Sequence, residues 1–465
     1  MSRFRKTLSR RTFIAGGAAL AAGAAQVAEA KGQWGIGLGQ RPEPPSGAEV
    51  LNPRLRVPVS FFIDDSTCLV NMGCFCMPQF AEAWPQRKIY HKPWKTWPRE
   101  IPDSFVRKFA LWCAEQGVKG KYSLVPYPAL VGWLDRELPG WSRRELLDSL
   151  KLVREIMLPH WDIHPEMITH TRVIDIRAGR PMEEISSATM ENSYPQTHKS
   201  VDQLASYLAY ALRILKNCGI PCEGITTPGG FGNRVKTNLS LAVCQAVREV
   251  FGAEIPHYFK YVADPGESTE PVVEQVRGLG KGTPDLTVNV PAGTGDWFGN
   301  WDGDRTPEPW RYARDDASSG RMVELIEQGK PAVMLCHWPG LYSHGTEAGF
   351  EACKRVISAI NGGFRNKIIW MKISEIARYW AAKELTEIRS GPEGVSFKSP
   401  FAAPDFTVKV PRARPGPVRL RVGRKVRALR EVRRAVDLRS GTFLVRRDSV
   451  VACFDLPRGE SRLEM

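Results

Sequence analysis

The first strongly apolar run in the chain, Val57-Pro-Val-Ser-Phe-Phe-Ile-Asp64-Asp65, reads as a buried strand that stops abruptly at two adjacent carboxylates. A long connection holding Trp84, Trp94 and Trp97 follows, then a helix that opens at Pro102-Asp103-Ser104, runs through Phe105, Phe109, Leu111 and Trp112, and is stopped by Gly117. The alternation continues. Strand 120–126 precedes helix 142–158, whose apolar side is Leu146, Leu147, Leu150, Leu152 and Val153, and strand 161–163 leads into a histidine-rich loop. Helix 200–217, strand 221–226, helix 238–250, helix 320–328, strand 331–337, helix 346–360, strand 367–370 and a final helix to about residue 383 complete the series. Strands alternating with helices predict an α/β fold with parallel strands, in which chemistry gathers at the carboxyl ends of the strands. Asp64, Asp65, the 164–170 cluster, Thr227 and His337 each follow a predicted strand and are expected on one rim.

From Glu384 the pattern changes to short Val/Leu/Phe runs broken by Pro, Gly and Arg. Segments such as Phe406-Thr-Val-Lys-Val and Val418-Arg-Leu-Arg-Val alternate apolar and polar residues, which predicts a small antiparallel β domain over 386–465. The predicted organisation is a leader over 1–30, a Pro/Gly-rich linker over 31–54, the α/β unit over 55–385 and this basic β-rich domain. No internal repeat is visible.

Composition narrows the class. A chain of 465 residues with 43% hydrophobic and 25% charged content reads as a globular protein of about two domains. The leader carries Arg3, Arg5 and Lys6, then Ser9-Arg10-Arg11-Thr12-Phe13-Ile14, a Gly/Ala-rich apolar run and Ala28-Glu29-Ala30; this looks like a twin-arginine export signal, so the mature protein is expected in the periplasm or outside the cell. The formal charge of +15 is uneven, with a net of roughly nine positive charges in the last eighty residues and a net of about four in the leader. The nearly neutral centre argues against a nucleic-acid partner and for an uncharged substrate, with an anionic cell-wall or membrane surface as a partner of the tail. The ten cysteines carry no zinc-ribbon, thioredoxin, haem or iron–sulfur spacing.

The candidate chemistry lies in His160-Trp-Asp-Ile-His164-Pro-Glu166-Met-Ile-Thr-His170, which packs three of the eight histidines with a glutamate. At even spacing His164, Glu166 and His170 share a face of extended backbone, and imidazole with carboxylate is a ligand set for a catalytic divalent ion such as Zn²⁺. Aromatic residues Trp297, Trp301 and Trp338 near the inferred rim suit the apolar faces of sugar rings, and core packing explains them equally well.

With these motifs the chain resembles the polysaccharide deacetylase-like superfamily, over roughly residues 55–383. Phe62-Ile63-Asp64-Asp65-Ser66 echoes the family's Thr-Phe-Asp-Asp-Gly, Asp162-Ile163 leads to Glu166 and His170 at the two positions of its His-x-x-x-His motif, Thr226-Thr227-Pro228-Gly229-Gly230 corresponds to its Arg-x-Pro-x-Gly loop, and Leu335-Cys336-His337 to its closing Leu-x-His. The resemblance implies a distorted (β/α)7 barrel and N-deacetylation of a glycan. It implies Asp64 as base, His337 as acid, Asp65, Glu166 and His170 as ligands with His164 in reserve, and Thr227, Pro228, Gly230, Trp297, Trp301 and Trp338 around the substrate. Two departures stand out: Glu166 replaces a histidine, and a threonine stands where the family arginine orients the catalytic aspartate. Hydrolysis of another non-peptide amide, or glycan binding without catalysis, are the alternatives that these departures leave open.

Overall fold

The computed structural model describes residues 30–411 and 416–465, so the leader lies outside the described residues. Strands β1 (Val57–Asp64), β2 (Gly120–Ser123), β3 (Trp161–His164), β4 (Gly224–Thr226), β5 (His257–Phe259), β6 (Val272–Arg277), β7 (Asp285–Asn289), β8 (Ala332–His337) and β9 (Ile368–Trp370) build the first part of the chain. Helices α1 (Met72–Ala83), α2 (Asp103–Glu115), α3 (Arg143–Leu152), α4 (Val201–Asn217), α5 (Lys236–Phe251), α6 (Arg321–Glu327), α7 (Trp338–Tyr342), α8 (Ala348–Phe364) and α9 (Ile373–Leu385) connect them. Local sequence sets several helix starts: Ser142 with Glu145, and Ser200 with Gln203, form reciprocal capping boxes at α3 and α4.

Strand β1 is buried along its whole length, which is why it reads as a continuous apolar run rather than an alternating one. It lies parallel to β8 on one edge and to β2 and β9 on the other, with β3 beyond β2. A second sheet has the order β4-β5-β7-β6, parallel except for the β6–β7 pair. Neither sheet closes, so the expected barrel is not one continuous hydrogen-bonded ring. At one seam the sheets meet through the Glu166–Thr226 bridge and the bond from Thr226 N–H to Pro165 O (3.0 Å). At the other, Gly293 N–H donates to Val333 O (2.8 Å) and Leu335 N–H to Thr294 Oγ1 (3.1 Å).

Alternate residues of β1 face opposite ways. Phe61 packs at a tilt against Phe109 of α2 and Trp161, among the surrounding helices, while Phe62 meets Phe259 across the two sheets at 5.1 Å between ring centres. Between the sheets, His164 and His257 face each other, Nε2 to Nε2 at 3.1 Å. Gly224 makes room for them: a Cβ there would lie 2.5 Å from His257 O and 2.6 Å from His164 Nε2.

The C-terminal strands are β10 (Glu387–Gly391), β11 (Gly394–Ser399), β12 (Ala403–Pro411), β13 (Arg419–Val422), β14 (Lys425–Ala428), β15 (Arg430–Val432), β16 (Thr442–Val445), β17 (Ser449–Leu456) and β18 (Gly459–Glu464). Together with the short strand Glu49–Val50 these nine form two five-stranded sheets, antiparallel apart from the β15–β16 pair. Phe397, Phe406 and Phe454 meet between these sheets, and the same apolar cluster continues through Trp380 and Ile376 of α9 to Phe62. Residues 31–54, expected to be a linker, are packed instead. Residues 37–40 bond to the β6 edge at Gln275 and Val276, and Glu49–Val50 adds a strand beside β12. Among the described residues no helix is long and apolar enough to cross a membrane, and all ten cysteines are free and buried.

The fit around Gly224 gives a first prediction. Gly224→Ala overpacks a site walled by backbone and two buried rings and should lower stability by roughly 1–3 kcal/mol. Urea unfolding measures this, and an unchanged midpoint would show that the strand yields freely there.

Candidate metal and catalytic site

Parallel pairing places residues of one rung on the same face. His337 is registered against Asp64, and β2 carries Ser123 in step with His164 of β3. Asp64 and His337 are therefore neighbours, fixed by strand register rather than by loops.

Asp64 is buried, and its partner is a lysine that sequence reasoning missed. Lys121 enters from β2, wholly shielded from solvent, and its Nζ donates to Asp64 Oδ1, to Ile63 O (3.0 Å) and to Ser123 Oγ (3.1 Å). All three ammonium protons are thus engaged, and the rings of Phe62 and Phe259 lie 5.7 and 5.2 Å from the nitrogen. No described residue donates to Asp64 Oδ2. Burial first, and then the charge of Glu166, push the Asp64 carboxyl up to about 6 against the opposing pull of Lys121. Lysine is rare inside a strand of this kind, so its presence in Gly120-Lys-Tyr-Ser was the available signal.

Beyond the strand ends, one ligand atom each of Asp65, Glu166 and His170 lies within 4.8 Å of the others. His170 Nε2 is 2.6 Å from Asp65 Oδ1 and 3.3 Å from Glu166 Oε1, and Asp65 N–H donates to Glu166 Oε2 (2.8 Å). Asp65 and His170 both have left-handed backbone, φ 56° and 64°, a conformation uncommon outside glycine, though Asp and His adopt it more readily than most residues, and one that clusters where a site is held by its surroundings. Burial alone would lower the His170 pKa; Asp65 and Glu166 outweigh it and raise it well above the usual value. Three buried anionic or imidazole donors, with Asp65 Oδ1 and His170 Nδ1 lacking a well-directed hydrogen bond, fit a divalent cation.

Glu191 holds the loop that presents His170. Its carboxylate accepts from the N–H groups of Ile168 (3.1 Å), Thr169 (3.0 Å) and His170 (2.6 Å) and from Tyr207 Oη, while burial pushes it up to about 7. Nothing in the sequence around Glu191 marks this role. Helix α1 covers the cluster: Phe80 lies against the His170 ring (6.3 Å) and against Trp301 (5.5 Å), and the Cys76 thiol lies beside His170.

His337 faces Asp296, whose Oδ2 accepts from His337 Nδ1 (2.8 Å) and from the His337 backbone N–H (3.1 Å). Burial opposes the charged ring, but the Asp296 hydrogen bond and the nearby Asp65, Asp296 and Asp64 charges raise its pKa to about 9. The side chain is 23% exposed, and no described residue is hydrogen-bonded to Nε2.

Other expected site residues are placed differently. His164 is drawn away from the cluster into the interior, where it pairs with His257 and stands 3.4 Å from Thr226 Oγ1; burial first, then His257 and Lys121, hold it well below its usual pKa, so it is neutral. Trp338 is a core residue, fully buried among Phe105, Phe109 and Tyr122. Trp301 belongs to the aromatic cover with Phe80 and Tyr90. Trp297 is partly buried against Tyr312, with the Arg311 guanidinium 4.3 Å from the ring centre. Thr227 and Pro228 are buried; the Thr227 hydroxyl has no partner, and Gly230 N–H donates to Asn192 O (2.7 Å).

Two predictions follow from these contacts. Lys121→Met strands a buried carboxylate and should cost about 3–5 kcal/mol in urea unfolding, most of it recovered in Lys121→Met/Asp64→Asn. Equal losses in the single and double variants would mean that the lysine acts by packing. Cation binding must displace the His170 proton, so calorimetry with Zn²⁺ at pH 7 should show about one proton released per ion, and affinity that strengthens as pH rises. Uptake without proton release would place the ion elsewhere.

No protein-family model and no curated protein sequence matches the chain. Among solved structures it is similar to a candidate glycoside hydrolase/deacetylase from Parabacteroides distasonis, at 10% identity over 77% of this chain and 82% of that one, with a TM-score of 0.38. It is also similar to a 4-alpha-glucanotransferase from Thermococcus litoralis, at 16% identity over 69% of this chain, with a TM-score of 0.33; the chain spans 40% of that protein's length.

Proposed function

We propose that the chain is an exported, metal-dependent hydrolase of a C–N amide bond, acting in N-deacetylation of a glycan in the periplasm or outside the cell, with its two open sheets an interrupted form of a (β/α)7 barrel. The observation that carries the reading is the juxtaposition of a free Asp64 Oδ2 with an imidazolium at His337, on one rung, next to the Asp65/Glu166/His170 cluster. A divalent cation held there would supply Lewis-acid polarisation of a carbonyl and a more acidic water.

The chain's own residues then divide the proton work. Asp64 Oδ2 accepts a proton from the attacking water as the new C–O bond forms at the acetamide carbonyl carbon. Lys121 keeps the carboxylate oriented by occupying Oδ1 throughout. His337 Nε2 gives its proton to the amide nitrogen as the C–N bond breaks, leaving acetate and a free amine, while Asp296 holds the ring by Nδ1. The missing loop arginine favoured glycan binding without catalysis; the lysine at Asp64 supports the catalytic reading, since the carboxylate keeps a cationic partner.

Acetate release from N-acetylated glycan oligomers by the metal-loaded protein tests the reading. Asp64→Asn should abolish release while sparing cation binding, and Asp65→Ala should abolish both. Activity should fall as pH drops through about 6, where Asp64 gains a proton, and as it rises through about 9, where His337 loses one. A bound cation moves the lower limb further down. Asp296→Asn should bring the upper limb to lower pH. An upper limb that does not move in Asp296→Asn would remove His337 from the acid role.

A further inference from the structure

We propose that a groove at the edge of the C-terminal β region binds a phosphate-bearing polymer, at a site separate from the amide-hydrolysing one and independent of that reading. The groove has a volume of about 690 Å³ and is lined by Arg54, Arg56, Arg430, Arg433, Arg434 and Arg439, against only two carboxylates, Glu431 and Asp437. Every cation in the lining is an arginine, whose planar fork pairs bidentately with phosphate oxygens, as a lysine cannot.

Few of these guanidinium groups are already satisfied. Arg434 is engaged with Asp437 (2.8 and 3.0 Å) and Arg54 with Asp405 (2.7 Å), while Arg430, Arg433 and Arg439 form no ion pair with any described residue. Arg56 reaches only Val436 O (3.1 Å), and the Nε atoms of both Arg54 and Arg56 are buried without a partner. Unsatisfied buried donors of this kind are costly unless a ligand completes them. The backbone carries a further mark: Arg54 and Leu55 are consecutive left-handed residues, φ 54° and 58°, and Leu55 is anchored in the small cluster of Val432, Leu438 and Leu444 beneath the groove. That anchor fixes the segment from which Arg54 and Arg56 reach the groove.

The surroundings select among anionic partners. The apolar side chains that line the groove, Val432, Val436 and Leu438, are buried or half-buried, and the exposed ones of this region, Val422, Val426, Val445 and Met465, lie outside it, so no apolar side chain projects from the groove to enter a bilayer. No aromatic side chain lines it, so stacking on bases is not provided. A groove of six arginines with a volume of about 690 Å³ is larger than one phosphate needs and fits a chain of them. The basic hairpin β13–β14, whose exposed Arg424, Lys425 and Arg427 form no ion pair with any described residue and lie outside the lining of this groove, offers the comparison of equal charge.

The test is fluorescence anisotropy of the chain from Lys31 onward with labelled inorganic polyphosphate. Replacing Arg430, Arg433 and Arg439 by alanine should weaken binding at least tenfold and flatten the dependence of log K on log salt by about 2, as expected for roughly three lost phosphate contacts. Replacing Arg424, Lys425 and Arg427 by alanine removes the same charge and should change affinity by less than about threefold, the size of a long-range charge effect screened by salt. The Arg430→Lys/Arg433→Lys/Arg439→Lys variant keeps charge and fold and should fall between wild type and the alanine variant. Equal weakening in the groove and hairpin variants would overturn the proposal in favour of bulk charge. So would full competition by free phosphate at equal phosphate concentration, or binding to vesicles of equal parts phosphatidylglycerol and phosphatidylcholine in the absence of polyphosphate binding. Acetate release by the groove variants should stay at the wild-type level whether or not polymer binding is lost.

Discussion

The ion pair between Lys121 and Asp64 is the constraint on which the rest of the site depends. An ammonium group without solvent contact is tolerated only when its three protons and its charge are all matched, and here two backbone-registered strands provide the match. The arrangement also decides which Asp64 oxygen is free. With Oδ1 held from inside, Oδ2 is the one left toward the rim, so orientation of the carboxylate comes from the core of the fold and not from a side chain that closes over it.

Charge balance follows from the same pair. Asp64, Asp65, Glu166 and Asp296 bring four carboxylates into a nearly dry space, and Lys121 neutralises one of them. Protons on His337 and His170 account for two more, which leaves a deficit of one positive charge. Exchange of the His170 proton for a divalent cation removes that deficit. The left-handed residues Asp65, Met167 and His170 lie where this balance is struck, and Glu191 holds the intervening loop through three backbone N–H groups. Backbone strain and buried charge are therefore concentrated in one place, supported by a carboxylate that contributes no ligand itself.

Much of this was legible before the coordinates, for identifiable reasons. The acidic pair after an apolar run and the histidine after Leu335 are signals of strand ends, and strand ends survive variation in helix boundaries. The assignment of His164 failed because even spacing was read as extended backbone through residue 170. The chain turns at Met167 and His170, with φ of 53° and 64°, so Glu166 and His170 meet across a loop while His164 stays on the strand and points inward. Helix α1 was read as irregular because it is apolar on nearly every side, including Pro78, Met77 and Phe80, and shows no polar face to set a period. Lys121 and Glu191 act through partners distant in sequence, and only the three-dimensional register reveals them.

Placing the cation on β2 has a consequence for the loop after β4. Because Lys121 supplies the cation beside Asp64, no described residue of that loop bonds to the carboxylate. Thr226 turns to His164 in the interior, and the Gly229-Gly230 segment packs on Asn192, where a Cβ on Gly230 would meet Asn192 O at 2.9 Å. The loop is thereby tied to the segment around Glu191, which holds His170. Orientation of Asp64 is built into the strands, whereas orientation of His170 is built into this tied pair of loops. The two halves of the site are held by separate parts of the fold and meet at Asp65, whose N–H donates to Glu166 Oε2 (2.8 Å) and whose Oδ1 lies 2.6 Å from His170 Nε2.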